Sequence, residues 1–572
     1  MNRVWHELNH GWPGIAIMLG GPLIAMWVGI LRKSFSARAL AVSPVAVLFV
    51  VILVAIVESL IVDPLTKHPG AFRDALEWAT GVPLSLAVSY WMGTMLGTPD
   101  PDLEPVYRRG AIVGEAADPT PRRRGWSRIG SRPASPPRNF LTLAGCPLSL
   151  QDETKHFKII GSTGTGKSTA IRELLRAALD RGDRAIIADP DGGYLDIFYD
   201  PSRDDVILNP FEPGALKWDL FGEITQKYDV EQIARALIPD LGGEERVWSE
   251  YARTFFGAVT QQLIRAGIRD DGTLHRLIRS ADEDELRELL AGTAAGPFLR
   301  EGSEKMFGSL RSVASTAVRV LEHTVEQQAR PFSVRQWVRE GAARQAGGKG
   351  GVLFLPYRAS QIASLRSVIS AWMRLGIFEA MDRPVGDQRL WFIVDELDAL
   401  GAIDGLKDAL ARLRKFGGRC VLGFQSIAQV SGTYGREVAD TLVENCGNTL
   451  ILRCSASERG GTSEFASKLI GQREMLHTTQ STTRRRNDWR ETTTTNAQQI
   501  RIEPAVMASE IERLPDLSGF LKIASRPDWQ RVSLTAVRYP TVVRDSRTPA
   551  AESAAALTRP VAHPLGGAES AS

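Results

Sequence analysis

The stretch Gly161-Ser162-Thr163-Gly164-Thr165-Gly166-Lys167-Ser168-Thr169 restricts this chain more than any other. It fits G-x-x-x-x-G-K-[ST] and lies between a short apolar run, Phe157 to Ile160, and an apolar-periodic segment, Ala170 to Leu179. Strand, glycine loop and helix in that order are the context a P-loop requires. Its glycines let the backbone curl until its N–H groups face phosphate oxygens. Lys167 is expected at the β- and γ-phosphates and Ser168 at a Mg²⁺ ion, with Gly161, Thr163, Gly164, Thr165, Gly166 and Thr169 completing an ATP-binding loop. The helix N-terminus adds positive potential at the same place.

A P-loop needs a partner strand, and Leu390-Trp391-Phe392-Ile393-Val394-Asp395-Glu396 supplies it. Five apolar residues in a row predict a strand buried on both faces of a parallel sheet. Such strands end at the ligand-bearing edge. Asp395 is placed there to hold the metal through its waters, and Glu396 to polarise the attacking water. The run Cys420 to Phe424 predicts another central strand, ending at Gln425, where a glutamine can sense the γ-phosphate or orient water. Arg184 to Asp189 predicts the strand after the P-loop helix, and strand, helix, strand gives an α/β fold with a parallel sheet.

Between these anchors the pattern changes. From about Phe221 to Pro331 strand-like runs give way to helical periodicity, which predicts an all-α insertion over 221–331. The nucleotide-binding domain is expected over 140–220 and 332–545. His477 to Gln499 holds eight threonines and the run Arg484-Arg485-Arg486 but few apolar residues. It reads as a mobile loop that cannot bury a core. With Trp489 beside them, its arginines could meet single-stranded DNA by charge and stacking, or the segment is a plain disordered excursion. The Ala- and Pro-rich tail, 546–572, reads as disordered.

The N-terminus, 1–97, is membrane-like. Pro13 to Leu31 is a 19-residue apolar run without charge, and Ser43 to Val62 is a second, broken only by Glu58. Each is long enough to cross a bilayer as a helix. Gly81 to Gly97 is uncharged and is either a third span or a buried or interfacial helix. Arg32, Lys33 and Arg38 place the first connecting loop on the cytoplasmic side. The P-loop belongs there too, because ATP does. Three spans, with Asp63 to Thr80 as an outer loop, satisfy both. Residues 98–139 form a proline-rich basic linker carrying Arg122, Arg123, Arg124, Arg128, Arg132 and Arg138. It faces anionic headgroups, touches DNA phosphates, or is a solvated tether.

Composition adds little. The 572 residues carry a net charge of +3, too near neutral to mark a nucleic-acid binder by itself. Cys146, Cys420, Cys446 and Cys454 show no metal spacing and suit a reducing compartment. His6-Glu7 to His10 fits a zinc-protease pattern but stands before an apolar span with no domain to add ligands, and reads as chance.

The order of the P-loop, Asp189-Pro190-Asp191-Gly192, Leu208-Asn209-Pro210-Phe211, Asp395-Glu396-Leu397 and Gly423-Phe424-Gln425-Ser426 resembles the type IV coupling proteins of bacterial conjugation, in particular their TraD/TrwB-like branch. The resemblance covers roughly residues 140 to 540. It implies a RecA-like nucleotide-binding domain, an inserted all-α domain and transmembrane helices anchoring the chain in the bacterial inner membrane, with the ATPase in the cytoplasm. It implies a homo-hexamer around a DNA channel, which links the relaxase–DNA complex to the type IV secretion channel and drives single-stranded DNA with ATP. Residue by residue, it makes Lys167 and Ser168 the Walker A pair, Asp395 and Glu396 the Walker B pair, Gln425 a sensor and Arg414 an arginine finger given to a neighbouring subunit. A mainly structural substrate receptor, with ATP binding controlling assembly, is the alternative from another class. A chromosome-type translocase is disfavoured by the helical insertion and the Asp-Pro-Asp-Gly segment. Two departures stand out: no long acidic C-terminal tail, which leaves relaxosome docking to the helical domain, and three spans where the family usually has two.

Overall fold

The computed structural model describes residues 12–33, 37–65, 71–96, 105–115, 140–238, 246–346, 350–384, 389–458, 460–484 and 492–542. The chain divides into two compact units, Met1–Gly110 with Arg473–Glu503, and Ala111–Gln472 with Pro504–Ser572.

Among the described residues the first unit holds the helices Trp12–Lys33, Ala37–Leu65 and Ala71–Leu96. Met26, Ile30, Val47, Val50 and Val54 are buried among them, with Val88 and Met92 of the third helix packed against this core. Ile24, Val45, Phe49 and Ile52 point outward and are exposed. The first and third helices touch at glycines: a Cβ on Gly93 would fall 2.2 Å from the Met26 carbonyl oxygen, and one on Gly29 2.4 Å from that of Tyr90. Small residues at a helix crossing are what apolar surroundings favour. Among the described residues Ala39–Val57, with mean hydropathy 3.1, is long and apolar enough to cross a membrane, and Ala16–Arg32 is a shorter apolar helix. The stretch expected as an outer loop, Asp63 to Thr80, is mostly helical, because the second helix runs on to Leu65 and the third starts at Ala71, in a segment rich in helix formers.

Two stretches outside the helices form strands where a loop and a linker are expected. The threonine-rich stretch expected as a mobile loop forms the strands Gln472–Arg484 and Thr492–Pro504. With Val106–Gly110 they make a three-stranded sheet, Gln472–Arg484 in the middle. Threonine is β-branched and favours strands even where it buries little. The linker expected over 98–139 likewise contributes Val106–Gly110 and Val113–Glu115 as strands. Arg122 to Arg138, Arg485, Arg486, Trp489, His6, His10 and the tail 546–572 lie outside the described residues.

The second unit is built on one sheet. Its strands are β1 (Val113–Glu115), β2 (Phe157–Ile160), β3 (Arg184–Pro190), β4 (Val206–Ile207), β5 (Val352–Tyr357), β6 (Leu390–Val394), β7 (Gly418–Phe424), β8 (Asn448–Ile451), β9 (Ser518–Lys522) and β10 (Trp529–Ser533). Among the described residues their order is β1-β10-β9-β8-β2-β7-β6-β3-β5-β4. From β8 to β4 every neighbouring pair is parallel. The central strands are buried on both faces, as their unbroken apolar runs require. This is the RecA-like α/β domain. Its all-α insertion includes Lys227–Leu237, Arg246–Arg265, Asp271–Arg279 and Glu304–Ala317. One buried carboxylate fastens the base of the insertion: Glu223 accepts from Trp218 Nε1 at 3.1 Å, Ser333 Oγ at 3.0 Å and the Val334 and Arg335 amides at 2.6 and 3.0 Å.

Candidate nucleotide site

β2 hands the chain to the P-loop between its two parallel neighbours, β7 and β8. The Gly161 amide donates to Phe424 O at 3.3 Å on one side, and the Ser162 amide to Arg453 O at 2.8 Å on the other. The loop turns through Gly164 at φ +77° and Gly166 at φ +117°, backbone that glycine adopts without strain. Gly166 is also the N-cap of the helix Lys167–Asp180. A Cβ there would meet Leu517 Cδ2 at 2.8 Å and Leu534 Cδ1 at 3.1 Å. The P-loop is therefore held from both flanks and roofed by the strand pair β9–β10.

Lys167 donates through Nζ to the Gly161 carbonyl at 2.7 Å and the Ser162 carbonyl at 3.3 Å. Burial lowers its pKa, and the carboxylates of Asp395 and Glu396 oppose that fall. Ser168 Oγ donates to Asp395 Oδ2 at 2.7 Å, so the Walker A serine and the Walker B aspartate meet directly. Gln425, at the end of β7, joins the other two parts. Its Nε2 donates to Glu396 Oε1 at 2.6 Å, and its Oε1 accepts from Thr163 Oγ1 at 2.7 Å. Burial, then the charges of Asp398 and Asp395, raise the Glu396 pKa and make it a stronger base than an ordinary glutamate.

Three residues that sequence reasoning did not single out complete the site. Tyr194 donates its hydroxyl to Asp395 Oδ2 at 2.8 Å and is 1% exposed. Tyr357 closes β5 beside Pro190 of β3, and its hydroxyl is buried without a partner among the described residues. Burial, then the charges of Glu396 and Asp395, raise its pKa, so it stays a neutral donor. Asp398 leaves one buried oxygen unpaired, and so does Asp395, whose Oδ1 has no partner among the described residues. Aromatic residues after apolar strands read as core, so no local signal marked either tyrosine. The third carboxylate of Asp395-Glu396-Leu397-Asp398 was the one cue available for Asp398.

The donor set fits Mg²⁺. Hard oxygen ligands are present in Ser168 Oγ and Asp395 Oδ1, and Mg²⁺ keeps several waters that need further partners. A buried donor at Tyr357 and buried acceptors at Asp395 and Asp398, all unpaired, are the partners such a hydrated ion uses. Beside the P-loop helix, a cavity of about 220 Å³ is lined by Thr169, Arg172, Glu173, Val537 and Tyr539 among others. Thr169, on its wall, directly follows the Walker A serine in the chain.

Arg414 is not brought to this site. It lies in the turn Leu413–Phe416, exposed, just before β7 begins at Gly418. Gln425 follows the other end of β7. A strand of this length spans about 23 Å, so the arginine and the P-loop of one chain stand at opposite edges of the sheet.

Residues 140–535 match the family described as the type IV secretion-system coupling protein DNA-binding domain. The coupling protein TraD of Escherichia coli (strain K12) is 30% identical over 386 residues, which are 67% of this chain and 53% of TraD. The chain thus spans about half the length of that relative. The unbound monoclinic form of the bacterial conjugative coupling protein TrwBdeltaN70 matches with a TM-score of 0.65 at 28% identity, covering 79% of this chain and 97% of that one. The plasmid coupling protein TrwB in complex with ADP and Mg²⁺ matches at 0.63 and 29%, covering 79% and 97%.

Proposed function

The chain belongs to the type IV secretion-system coupling proteins, and from that membership we propose that it is a membrane-anchored ATPase that recruits a relaxase–DNA complex to a type IV secretion channel and drives single-stranded DNA through it. The observation that carries the reading is the joined constellation at one sheet edge: Ser168 on Asp395, and Glu396 tied through Gln425 to Thr163. That joining of Walker A, Walker B and the glutamine supports phosphoryl transfer at this edge.

In this mechanism the P-loop amides and Lys167 hold the β- and γ-phosphates of ATP and offset their charge. Ser168 and Asp395 hold Mg²⁺, which supplies Lewis-acid polarisation of the phosphates when bound. Glu396 takes the proton of the attacking water, its pKa raised by burial and then by Asp398 and Asp395. Gln425 keeps that carboxylate aligned and feels the P-loop through Thr163. The cavity beside Thr169 takes the base. Arg414 stands too far from its own P-loop to act there, so a second copy supplies it across a ring interface, which makes turnover depend on assembly. The ring is a homo-hexamer, anchored in the inner membrane by the N-terminal helices as three spans, with the nucleotide domain in the cytoplasm.

Steady-state ATP hydrolysis by the full chain in detergent, with and without single-stranded DNA, tests this. DNA should raise the rate several-fold, and Lys167→Ala should abolish it. A chain that binds ATP yet never turns it over, with DNA and at concentrations that favour assembly, is instead a substrate receptor.

A further inference from the structure

Asp395 uses its two oxygens differently. Oδ2 accepts from Ser168 Oγ at 2.7 Å and from the Tyr194 hydroxyl at 2.8 Å, while Oδ1 is buried and unpartnered among the described residues. Ser168 has a second task, because its oxygen is itself a metal ligand in a P-loop. Tyr194 has none. It is 1% exposed, and the Arg172 guanidinium lies 5.7 Å from its ring centroid. The backbone that carries it is fixed by Asp189, whose Oδ1 accepts the Tyr194 amide at 3.0 Å and whose Oδ2 accepts the Leu195 amide at 2.7 Å. A continuous chain of contacts thus runs from the end of β3 to the Walker B aspartate. It gives the Asp189-Pro190-Asp191-Gly192 segment a physical task that the phosphoryl-transfer groups do not.

We propose that Tyr194 is a positioning residue for Mg²⁺: its hydroxyl pins Asp395 Oδ2, Oδ1 is thereby held toward the ion, and Asp189 keeps Tyr194 in place. The proposal rests on the reading of this site as a Mg²⁺–nucleotide site and deepens it. A carboxylate with one fixed oxygen has little rotation left to lose when the metal arrives. Removing the fixing donor leaves Asp395 free to turn, and losing such outer-shell partners lowers metal affinity by about 10- to 100-fold.

The test is the binding of a fluorescent ADP analogue to the full chain in detergent, at increasing Mg²⁺ and without it. Tyr194→Phe removes the hydroxyl and leaves the ring. The expected result is a rise of about tenfold in the half-saturating Mg²⁺ concentration, with the Mg²⁺-free ADP affinity unchanged. In an Asp395→Ala background, Tyr194→Phe should add nothing. An unchanged Mg²⁺ titration overturns the proposal. So does an equal loss of ADP affinity with and without Mg²⁺, which would make Tyr194 a residue of the fold alone. If Tyr194→Phe does not fold, Asp189→Asn, which keeps the hydroxyl and loosens its mount, is expected to shift the Mg²⁺ titration in the same direction, and a failure to do so overturns the proposal. A wild-type chain whose ADP binding ignores Mg²⁺ removes the Mg²⁺–nucleotide reading first, and this proposal with it.

Discussion

Gln425 donates to Glu396 at 2.6 Å, and the oxygen of the same amide accepts from Thr163 of the P-loop at 2.7 Å. One side chain therefore couples the Walker B glutamate to the P-loop. Gln425→Ala should lower kcat by about 100-fold, the scale of a misplaced general base. KM should change little, because no phosphate ligand is removed. Steady-state kinetics beside ADP binding separates the two. A change confined to KM would count against the coupling.

Glu396 carries a pH signature. Its pKa is raised, first by burial and then by Asp398 and Asp395. The base must be ionised to act, so the rate should fall on acidification from neutrality sooner than it would with an ordinary glutamate. Asp398→Asn removes one of the charges that raise it and should move that acid limb to lower pH. A pH–rate profile of wild type and variant, at saturating ATP, reads the shift. Glu396→Gln should bind ADP as tightly as wild type and hydrolyse nothing.

How much of this was legible in the sequence depended on how local the signal was. The P-loop could be read because all its phosphate-facing groups are contiguous, and Asp395 because five apolar residues announce its buried strand. The strands Gln472–Arg484 and Thr492–Pro504 were misread, since their threonines look like solvated low complexity. Their pairing partner is remote: Arg108, in the strand alongside, sits 366 positions from the Glu474 it bonds. No window of sequence shows such a pairing. Tyr194 was missed for a related reason. Its role exists only because β3 and β6 are neighbours in the sheet, a fact of topology rather than of spacing.

Gly166 joins loop geometry to packing. It sits at φ +117°, and a Cβ would lie 2.8 Å from Leu517 Cδ2 and 3.1 Å from Leu534 Cδ1. Gly166→Ala must strain the backbone and push the roof of the P-loop outward at once. Strain of this kind costs about 1–3 kcal/mol before the clash is counted. The variant should melt several degrees lower and lose ADP binding. A wild-type ADP affinity would show that the loop tolerates a different path.

His156 should govern acid stability. Its Nδ1 accepts the Cys420 amide at 3.1 Å, which leaves the proton on Nε2, 3.0 Å from the Leu410 carbonyl. Burial holds the ring neutral and lowers its pKa to about 4. The sign follows from that fall: the stabilisation is complete above the ordinary histidine value of 6.5 and is lost as pH drops through about 4. The gap is worth about 3 kcal/mol. Urea midpoints of the full chain between neutral and acid pH should drop accordingly, and His156→Gln should flatten that limb. A limb of the same depth in the variant would assign it to other groups.

The position of Arg414 makes the strongest demand on assembly. It is exposed before β7, while Gln425 and the P-loop stand beyond the far end of the same strand. Within one chain it cannot reach the γ-phosphate, so any catalytic part it plays is played on a neighbour. Arg414→Ala should then retain ADP affinity and lose most turnover, and Lys167→Ala should be inactive for its own reason. Co-expressed in equal amounts, the two variants build mixed rings. Roughly a quarter of the interfaces in a random mixture pair an intact Arg414 with an intact Lys167, because a head-to-tail contact takes one surface from each partner. Activity should reappear in the mixture that neither variant has alone. Its absence, with mixed assembly verified by differential tags, would leave Arg414 as a surface arginine and require another cation at the site.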